Sequence, residues 1–374
     1  MKCPMCFHFL APRPSYVCMG SCRQEHDAAA SAVRGYDVST APITAGDHEG
    51  ADCGICGVRT RQEACVRCAF PIPGGYRSAD KVDCIAMAGA RATGKSMMIA
   101  VAKEQLALLI SAHHRSTLKG LGSTDERFHE AYAKPLANQR ALRSTEGLET
   151  ELSVSRLPLI FSFTERNSSG DARVRILVLR DVAGEDLETG QSARLEFFSR
   201  ADFVFALIDP LTNEMISDMV KGLIPDALEL GADGVKILGQ VVDLMNGHRL
   251  GVKSPIRLAV IVSKFDVLQI LRVHAGSAWA QAMNRPGAPV QRDPSMRAAR
   301  YDPDQAELLD QEIRGLLELM GAGSLQHMLE ESVDTYQFFG VSALGQAPDG
   351  EILHAGGIAP FRAVEPLKWA LRLV

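Results

Sequence analysis

The chain has 374 residues, a net charge of −5, 46% apolar and 23% charged residues. Those values suit a globular protein and give no global basic field to draw it to nucleic acid or anionic lipid. No apolar run approaches the ~20 residues that cross a bilayer, so no membrane span is expected, and the length suggests one large domain with a smaller module.

The opening stretch MKCPMCFHFLAPRP holds one lysine and no clean apolar core before its prolines. It does not read as a secretory signal, which points to a cytoplasmic address and to metal thiolates rather than disulfides. Eight of the nine cysteines precede residue 70 as four close pairs: Cys3/Cys6, Cys18/Cys22, Cys53/Cys56 and Cys65/Cys68. Three pairs are C-x2-C and Cys18/Cys22 has one extra residue; two thiolates so spaced on a tight turn face one tetrahedral cation, and two such pairs complete a closed structural zinc site. Gly57 after Cys56 and Gly20 between Cys18 and Cys22 suit such turns. Sequence order suggests Cys3, Cys6, Cys18 and Cys22 on one zinc and Cys53, Cys56, Cys65 and Cys68 on the other, with an interleaved pairing as the alternative. Iron–sulfur and redox dithiols are the competing chemistries; His8 and His26 lie near enough to replace a thiolate but have no obvious role. Residues 1–80 hold eight Lys/Arg and eight Asp/Glu, whereas a nucleic-acid-binding finger should be basic. Residues 1–75 are therefore expected to form a zinc-knuckle module for protein contacts, with Glu25 to Asp52 a linker between two metal knobs.

From Lys81 the chain reads KVDCIAMAGARATGKSMMIAVA: a short apolar run, a glycine-bounded loop, then an apolar helical pattern. In that context a G-x4-G-K-S match is a phosphate-binding loop, the P-loop or Walker A motif. Gly89 and Gly94 let the backbone approach phosphates closely, and the new helix turns its positive end toward the anion. Lys95 would reach the β- and γ-phosphates and Ser96 would ligate Mg2+; Thr93 and Met97 complete the set of loop residues expected at the nucleotide. The helix is expected over Met97 to Ile110, with His113 and His114 solvated at its end and a long polar connection over 115–150.

Strands are expected at Leu157 to Thr164 and Val174 to Leu179, joined by the turn Asn167–Asp171 into an antiparallel hairpin. The second runs into Asp181-Val182-Ala183-Gly184-Glu185, where Asp181 would hold Mg2+ and the Gly184 N–H would meet the γ-phosphate. A fourth strand spans Phe203 to Ile208, ending at Asp209-Pro210, with helices around Asn213–Gly222 and Val235–Met245. A fifth, Leu258 to Val262, ends in Ser263-Lys264-Phe265-Asp266. A carboxylate there accepts from guanine N1–H and the 2-amine together, whereas adenine would leave it unpaired; the Lys264 stem would lie along the base. Residues 272–305 read as a mobile insertion, followed by a helix over Pro303 to Met320. The last strand, Tyr336 to Val341, leads into Ser342-Ala343, whose N–H groups would meet the base's 6-oxygen. An amphipathic helix over Val364 to Leu373 follows, and Cys84 reads as a buried, inert thiol.

G-x4-G-K-S, D-x-x-G, S-K-x-D and S-A-L, each after an apolar strand and in that order, resemble the Ras-like GTPases of the TRAFAC class over about residues 80–374. With zinc knuckles ahead of it the chain looks most like the bacterial double-GTPase group. The resemblance implies an α/β P-loop NTPase fold, a Ras-like, mostly parallel sheet flanked by helices. It also implies GTP/GDP and Mg2+ binding, slow hydrolysis, and a second GTPase-like subunit as a protein partner in a conflict or signalling system. Three departures stand out. Ser263 replaces the usual Asn or Thr; Glu185 stands where many members carry a water-orienting Gln; and the switch threonine is unassigned among Thr117, Thr124, Thr145 and Thr150. The leading expectation is a slowly hydrolysing GTP switch with Lys95 and Glu185 as catalytic residues; the rival is a hydrolysis-deficient, GTP-gated scaffold presenting a zinc module. A zinc-finger nucleic-acid binder with an ATPase engine is disfavoured by charge and by Asp266.

Overall fold

A computed structural model describes residues 1–138, 157–167, 169–182, 184–188, 192–225, 231–249, 251–348, 352–353 and 356–373, without the side chains of residues 185, 188 and 192–194. At its centre is a mixed seven-stranded sheet. In chain order its strands are β1 (Lys81–Gly89), β2 (Lys119–Gly120), β3 (Leu159–Arg166), β4 (Ala172–Asp181), β5 (Phe203–Ile208), β6 (Arg257–Val262) and β7 (Tyr336–Gly340). They lie in the order β7-β6-β5-β1-β4-β3-β2. The pairs β4/β1, β5/β1, β5/β6 and β6/β7 are parallel, and β3 runs antiparallel to β4 and β2. The expected hairpin is therefore present. Asp171 N–H donates to the Asn167 side chain at 2.9 Å in its turn.

The central strands are almost wholly apolar (FVFALI in β5, RLAVIV in β6) because both faces of the sheet are covered. Alternation sorts them. Ile85, Met87, Leu177, Leu179, Phe203 and Phe205 face one core with α1 (Lys95–His114) and the carboxy-terminal helix Glu365–Leu371. Cys84, Ala86, Ile176, Val178, Val204 and Ala206 face the other core with α2 (Gly234–Met245), α3 (Phe265–Ile270) and α4 (Pro303–Leu319). Cys84 is fully buried there, and desolvation holds its thiol well above the usual range, in keeping with an inert side chain.

Several expectations need correction. Glu25–Asp52 is not a plain linker: it forms short antiparallel pairs, Glu25–His26 with Ser39–Thr40 and Ser15–Val17 with Ile43–Ala45. It also carries the helix Ala28–Arg34, capped by Asp27 and ended at Gly35 in the left-handed region. Small residues there allow close packing on the knuckles rather than slack. The 272–305 insertion is packed too: helix Ala278–Asn284 buries Trp279 and Met283. Fully buried Arg362 ties the insertion down by donating to Glu365 and to the carbonyls of Arg292 and Pro289. Lys368 donates to the Ser295 carbonyl at 2.8 Å. The insertion thus covers Glu365–Leu371, all seven of whose residues are buried, so that helix shows no solvent face. His114 is buried rather than solvated, its Nδ1 against the Arg166 backbone, while His113 is exposed. Helix Gly323–Ser332 and edge strand β2 had no expectation.

Candidate functional site

Five parallel strands end on one edge of the sheet, and polar groups gather at those carboxyl ends, where open α/β sheets bind ligands. After β1 the loop Gly89–Ser96 turns through left-handed residues at Gly89 (φ 151°), Ala92 (φ 59°) and Gly94 (φ 86°). Gly94 caps α1 without a side chain. The Lys95 ammonium folds over the loop and donates to the carbonyls of Gly89 (2.7 Å) and Ala90 (2.9 Å). Thr93 donates its hydroxyl to the Ala90 carbonyl at 3.0 Å. Lys95 and Thr93 are both buried, so the loop is a preformed cradle. Met97, in the first turn of α1, packs in the interior.

One strand over, Asp181 ends β4 beside Met87 of β1. Its Oδ2 lies 3.4 Å from Ser96 Oγ. A hydroxyl and a carboxylate facing each other at the mouth of the cradle suit a hard divalent cation, which takes oxygen ligands. Gly184 presses on the loop: a β-carbon there would come within 2.2 Å of the Arg91 nitrogen. Gly231 does the same from another segment, 2.2 Å from the Arg91 carbonyl oxygen. Gly231 escaped the sequence reading because it belongs to no motif; only the fold brings it to the phosphate loop. The side chain of Glu185, and Thr145 and Thr150, lie outside the described residues. Thr124 is buried, its hydroxyl accepting from Ile160 N–H at 3.2 Å, and Thr117 is exposed.

The base-reading candidates lie two strands from β1, at the end of β6. Adjacent strands lie about 4.8 Å apart, so the lateral offset is roughly 10 Å. Asp266, in the first turn of α3, is buried, and its Oδ1 accepts from the Ser342 hydroxyl at 2.5 Å. Burial raises its pKa above the ordinary 3.8, and the Ser342 bond opposes that shift. Lys264, in the left-handed region (φ 46°), pairs with Asp209 at the end of β5 at 2.5 Å. Asp209 is a second residue missed by motif reading. Its side chain is fully buried, and it also accepts from Leu211 N–H at 3.0 Å. Ser342 differs from expectation: its N–H donates to the Phe361 carbonyl at 3.1 Å, and its hydroxyl orients Asp266. Ala343 follows it at the same edge. Ser263 donates its hydroxyl to the Ile208 carbonyl at 3.1 Å, tying β6 to β5.

The cysteines form two closed tetrads, but not in sequence order. Cys3, Cys6, Cys65 and Cys68 form one, and Cys18, Cys22, Cys53 and Cys56 the other. The first and last knuckles meet because the chain doubles back: Tyr16 bridges Glu63 and Val17 N–H donates to the Gln62 carbonyl at 2.9 Å. The Sγ pairs Cys3–Cys68, Cys6–Cys65, Cys18–Cys56 and Cys22–Cys53 lie 3.6, 3.9, 3.5 and 3.7 Å apart, and within each tetrad all sulfurs lie within 4.8 Å of one another. Tetrahedral thiolates about 2.3 Å from Zn2+ would lie about 3.8 Å apart. Three knuckles share one backbone form. Phe7, Gly57 and Ala69, each directly after a second cysteine, adopt positive φ. Each donates its N–H to the carbonyl of the first cysteine of its pair. N–H groups of Cys56 and Ile55 pull Cys53 down to about 6, favouring the thiolate. His8 and His26 belong to neither tetrad.

No helix among the described residues is long and apolar enough to cross a membrane. No family model matches the chain. It is 40% identical over 314 residues to the "Putative ESX-1 scaffolding and assembly protein SaeC" of Mycolicibacterium smegmatis, covering 82% of this chain and 78% of that protein. Among solved structures, the S. cerevisiae Ski7 GTPase-like domain, bound to GTP, aligns with 79% of this chain at 12% identity and a TM-score of 0.30. This chain spans half the length of that one, and so loose a likeness carries no argument.

Proposed function

The chain belongs to the same family as the ESX-1 scaffolding and assembly protein SaeC, and from that premise we propose that it is a GTP-gated, zinc-bearing scaffold for protein partners. The observation that carries the nucleotide half of this reading is the convergence of Lys95, Asp181, Lys264, Asp266 and Ser342 on one sheet edge. The scaffold half rests on the relative's printed role and on closed cysteine tetrads, which offer no open position for chemistry.

In this reading the loop N–H groups, the α1 terminus and Lys95 hold the triphosphate. Ser96 and Asp181 would hold Mg2+, which would neutralise phosphate charge. Asp266, oriented by Ser342, accepts from guanine, and the Lys264 stem lies along the base. A γ-phosphate accepting from Gly184 N–H would fix the start of helix Gly184–Glu188 against the loop, changing the surface offered to partners. Zn2+ in the two tetrads would supply folding energy.

Isothermal calorimetry with Mg2+ tests it. Wild type binds GTPγS and not ATPγS; Lys95→Ala abolishes the heat. Asp266→Ala weakens GTPγS binding by about 10–100-fold, the range for a lost bond to a charged group, and brings GTP and ATP together. Unchanged selectivity in Asp266→Ala sinks the base-reading assignment. A second reading, slow GTP hydrolysis, uses the same Ser96 and Asp181 oxygens, which serve Mg2+ in either reading and do not decide between them. Single-turnover phosphate release, alone and with partner proteins added, separates it from a pure scaffold, since a partner's arginine can supply ~10^3–10^5 in rate.

A further inference from the structure

Neighbouring residues on a strand point to opposite faces, and at the end of β4 those faces lead to two different centres. Asp181 turns toward α1 and Ser96. Arg180 turns the other way and donates its Nη1 to the carbonyl of Met5, inside the Cys3–Cys6 knuckle. Its guanidinium also lies over the Phe197 ring, 3.5 Å from the centroid. Phe7, directly after Cys6, meets the same ring edge-on at 5.5 Å. Lys2 closes the contact from the side, donating to the Arg200 carbonyl at 2.7 Å and pairing with Asp202 at 2.6 Å. Asp202 in turn accepts from Cys84 N–H on β1 at 2.9 Å.

Arg180 is 6% exposed, and a buried guanidinium without compensating partners is costly. Burial pulls its pKa down to about 10, opposed by Tyr36 and by the Cys68, Cys6 and Cys3 sulfurs, and four thiolates around one Zn2+ would carry about −2. The arginine is therefore both a clamp on the knuckle backbone and a countercharge for the metal centre. Among the described residues, the other tetrad has no such link. Cys18 and Cys53 pack in a small separate cluster with Ala41.

We infer that the Cys3/Cys6/Cys65/Cys68 centre, acting through Arg180 and Phe197, sets the position of Asp181, so that metal in this centre and Mg2+–nucleotide at the sheet edge are energetically linked. Arg180 is the positioning residue, and the Cys18/Cys22/Cys53/Cys56 centre is uncoupled. The inference rests on the nucleotide reading above. Linkage is reciprocal, so bound nucleotide must alter metal retention at the coupled centre.

The test is the equilibrium partition of zinc between the full zinc-loaded chain and a chromogenic chelator, with and without Mg2+–GTPγS. Cys53→Ser, which breaks only the uncoupled centre, assigns the two zinc affinities. Nucleotide is expected to raise the zinc affinity of the coupled centre by about 5–150-fold, the usual span of site-to-site coupling, and to leave the other affinity unchanged. Arg180→Met removes the nucleotide effect, and Arg180→Lys restores part of it. Equal nucleotide effects at both centres, or none at either, in a chain that calorimetry shows to have bound GTPγS, overturns the coupling alone. No GTPγS heat overturns the nucleotide reading and this inference with it. Should Arg180→Met fail to fold, the wild-type zinc affinities still decide.

Discussion

At the scale of single residues, Asp266 is the side chain whose environment predicts the most. Burial raises its pKa above 3.8 in the free protein, whereas donors on guanine favour the ionised form and would lower it again. On the proposed reading, guanine nucleotide binding is therefore expected to release a proton. Affinity falls as pH drops through the free-protein value and is flat well above it, with a slope of at most about one decade per pH unit. The phosphates titrate as well, so the quantity to measure is the ratio of GTP affinities of wild type and Asp266→Asn across pH 4 to 8. A flat ratio removes Asp266 from the base site. The stability sign runs the other way. A raised folded-state pKa contributes stability below the unfolded value and loses it as pH rises through the folded one. Asp266→Asn should thus be at least as stable as wild type at neutral pH and lose that advantage in acid. The loop that carries Lys95 and Thr93 was legible from spacing alone, because its glycines and the helix that follows are local in sequence. Asp209 and Gly231 were not, because each acts on a loop far away in sequence.

At the scale of elements, the knuckles carry the clearest lesson. Each C-x2-C turn is local chemistry: a positive-φ residue after the second cysteine closes it, whether that residue is Phe7, Gly57 or Ala69. Which turn meets which is not local. Pairing by sequence order would join neighbours, yet the strand contacts at Tyr16 and Val17 fold the outer knuckles onto each other and the inner two together. Native mass spectrometry checks this by zinc count. Wild type carries two zincs, and the double variant Cys6→Ser with Cys65→Ser carries one. Cys6→Ser with Cys22→Ser carries none; one retained zinc in that variant would restore the sequence-order pairing.

For the whole molecule, the two tetrads differ in what they support. Cys3, Cys6, Cys65 and Cys68 share a core with Tyr76, Cys84 and Val178, so the first centre is part of the wall of the main sheet. Cys18 and Cys53 share theirs only with Ala41 and a few half-buried neighbours. Cys65→Ser should lower the thermal midpoint of the entire chain by about 5 °C: at about 2.1 cal/mol/K per residue, a chain of 374 residues shifts by only about 1.3 °C per kcal/mol, and a lost zinc site costs several kcal/mol. Cys53→Ser should leave the main transition nearly in place. Calorimetric scans of the two variants decide the matter, and equal shifts would mean that the second centre is equally built into the fold.

The sequence by itself determined the local elements: the strands, the glycine-bounded loop ahead of α1, the antiparallel hairpin and the four cysteine turns. All of these depend on residues close together along the chain, where periodicity, glycine placement and ligand spacing act directly. Only the tertiary structure decided how the knuckles pair, that the 272–305 insertion is packed, that Ser342 orients Asp266 by its hydroxyl, and that a knuckle backs the strand ending in Asp181. Those are contacts between distant segments, chosen by the burial of whole faces, and no local pattern encodes them.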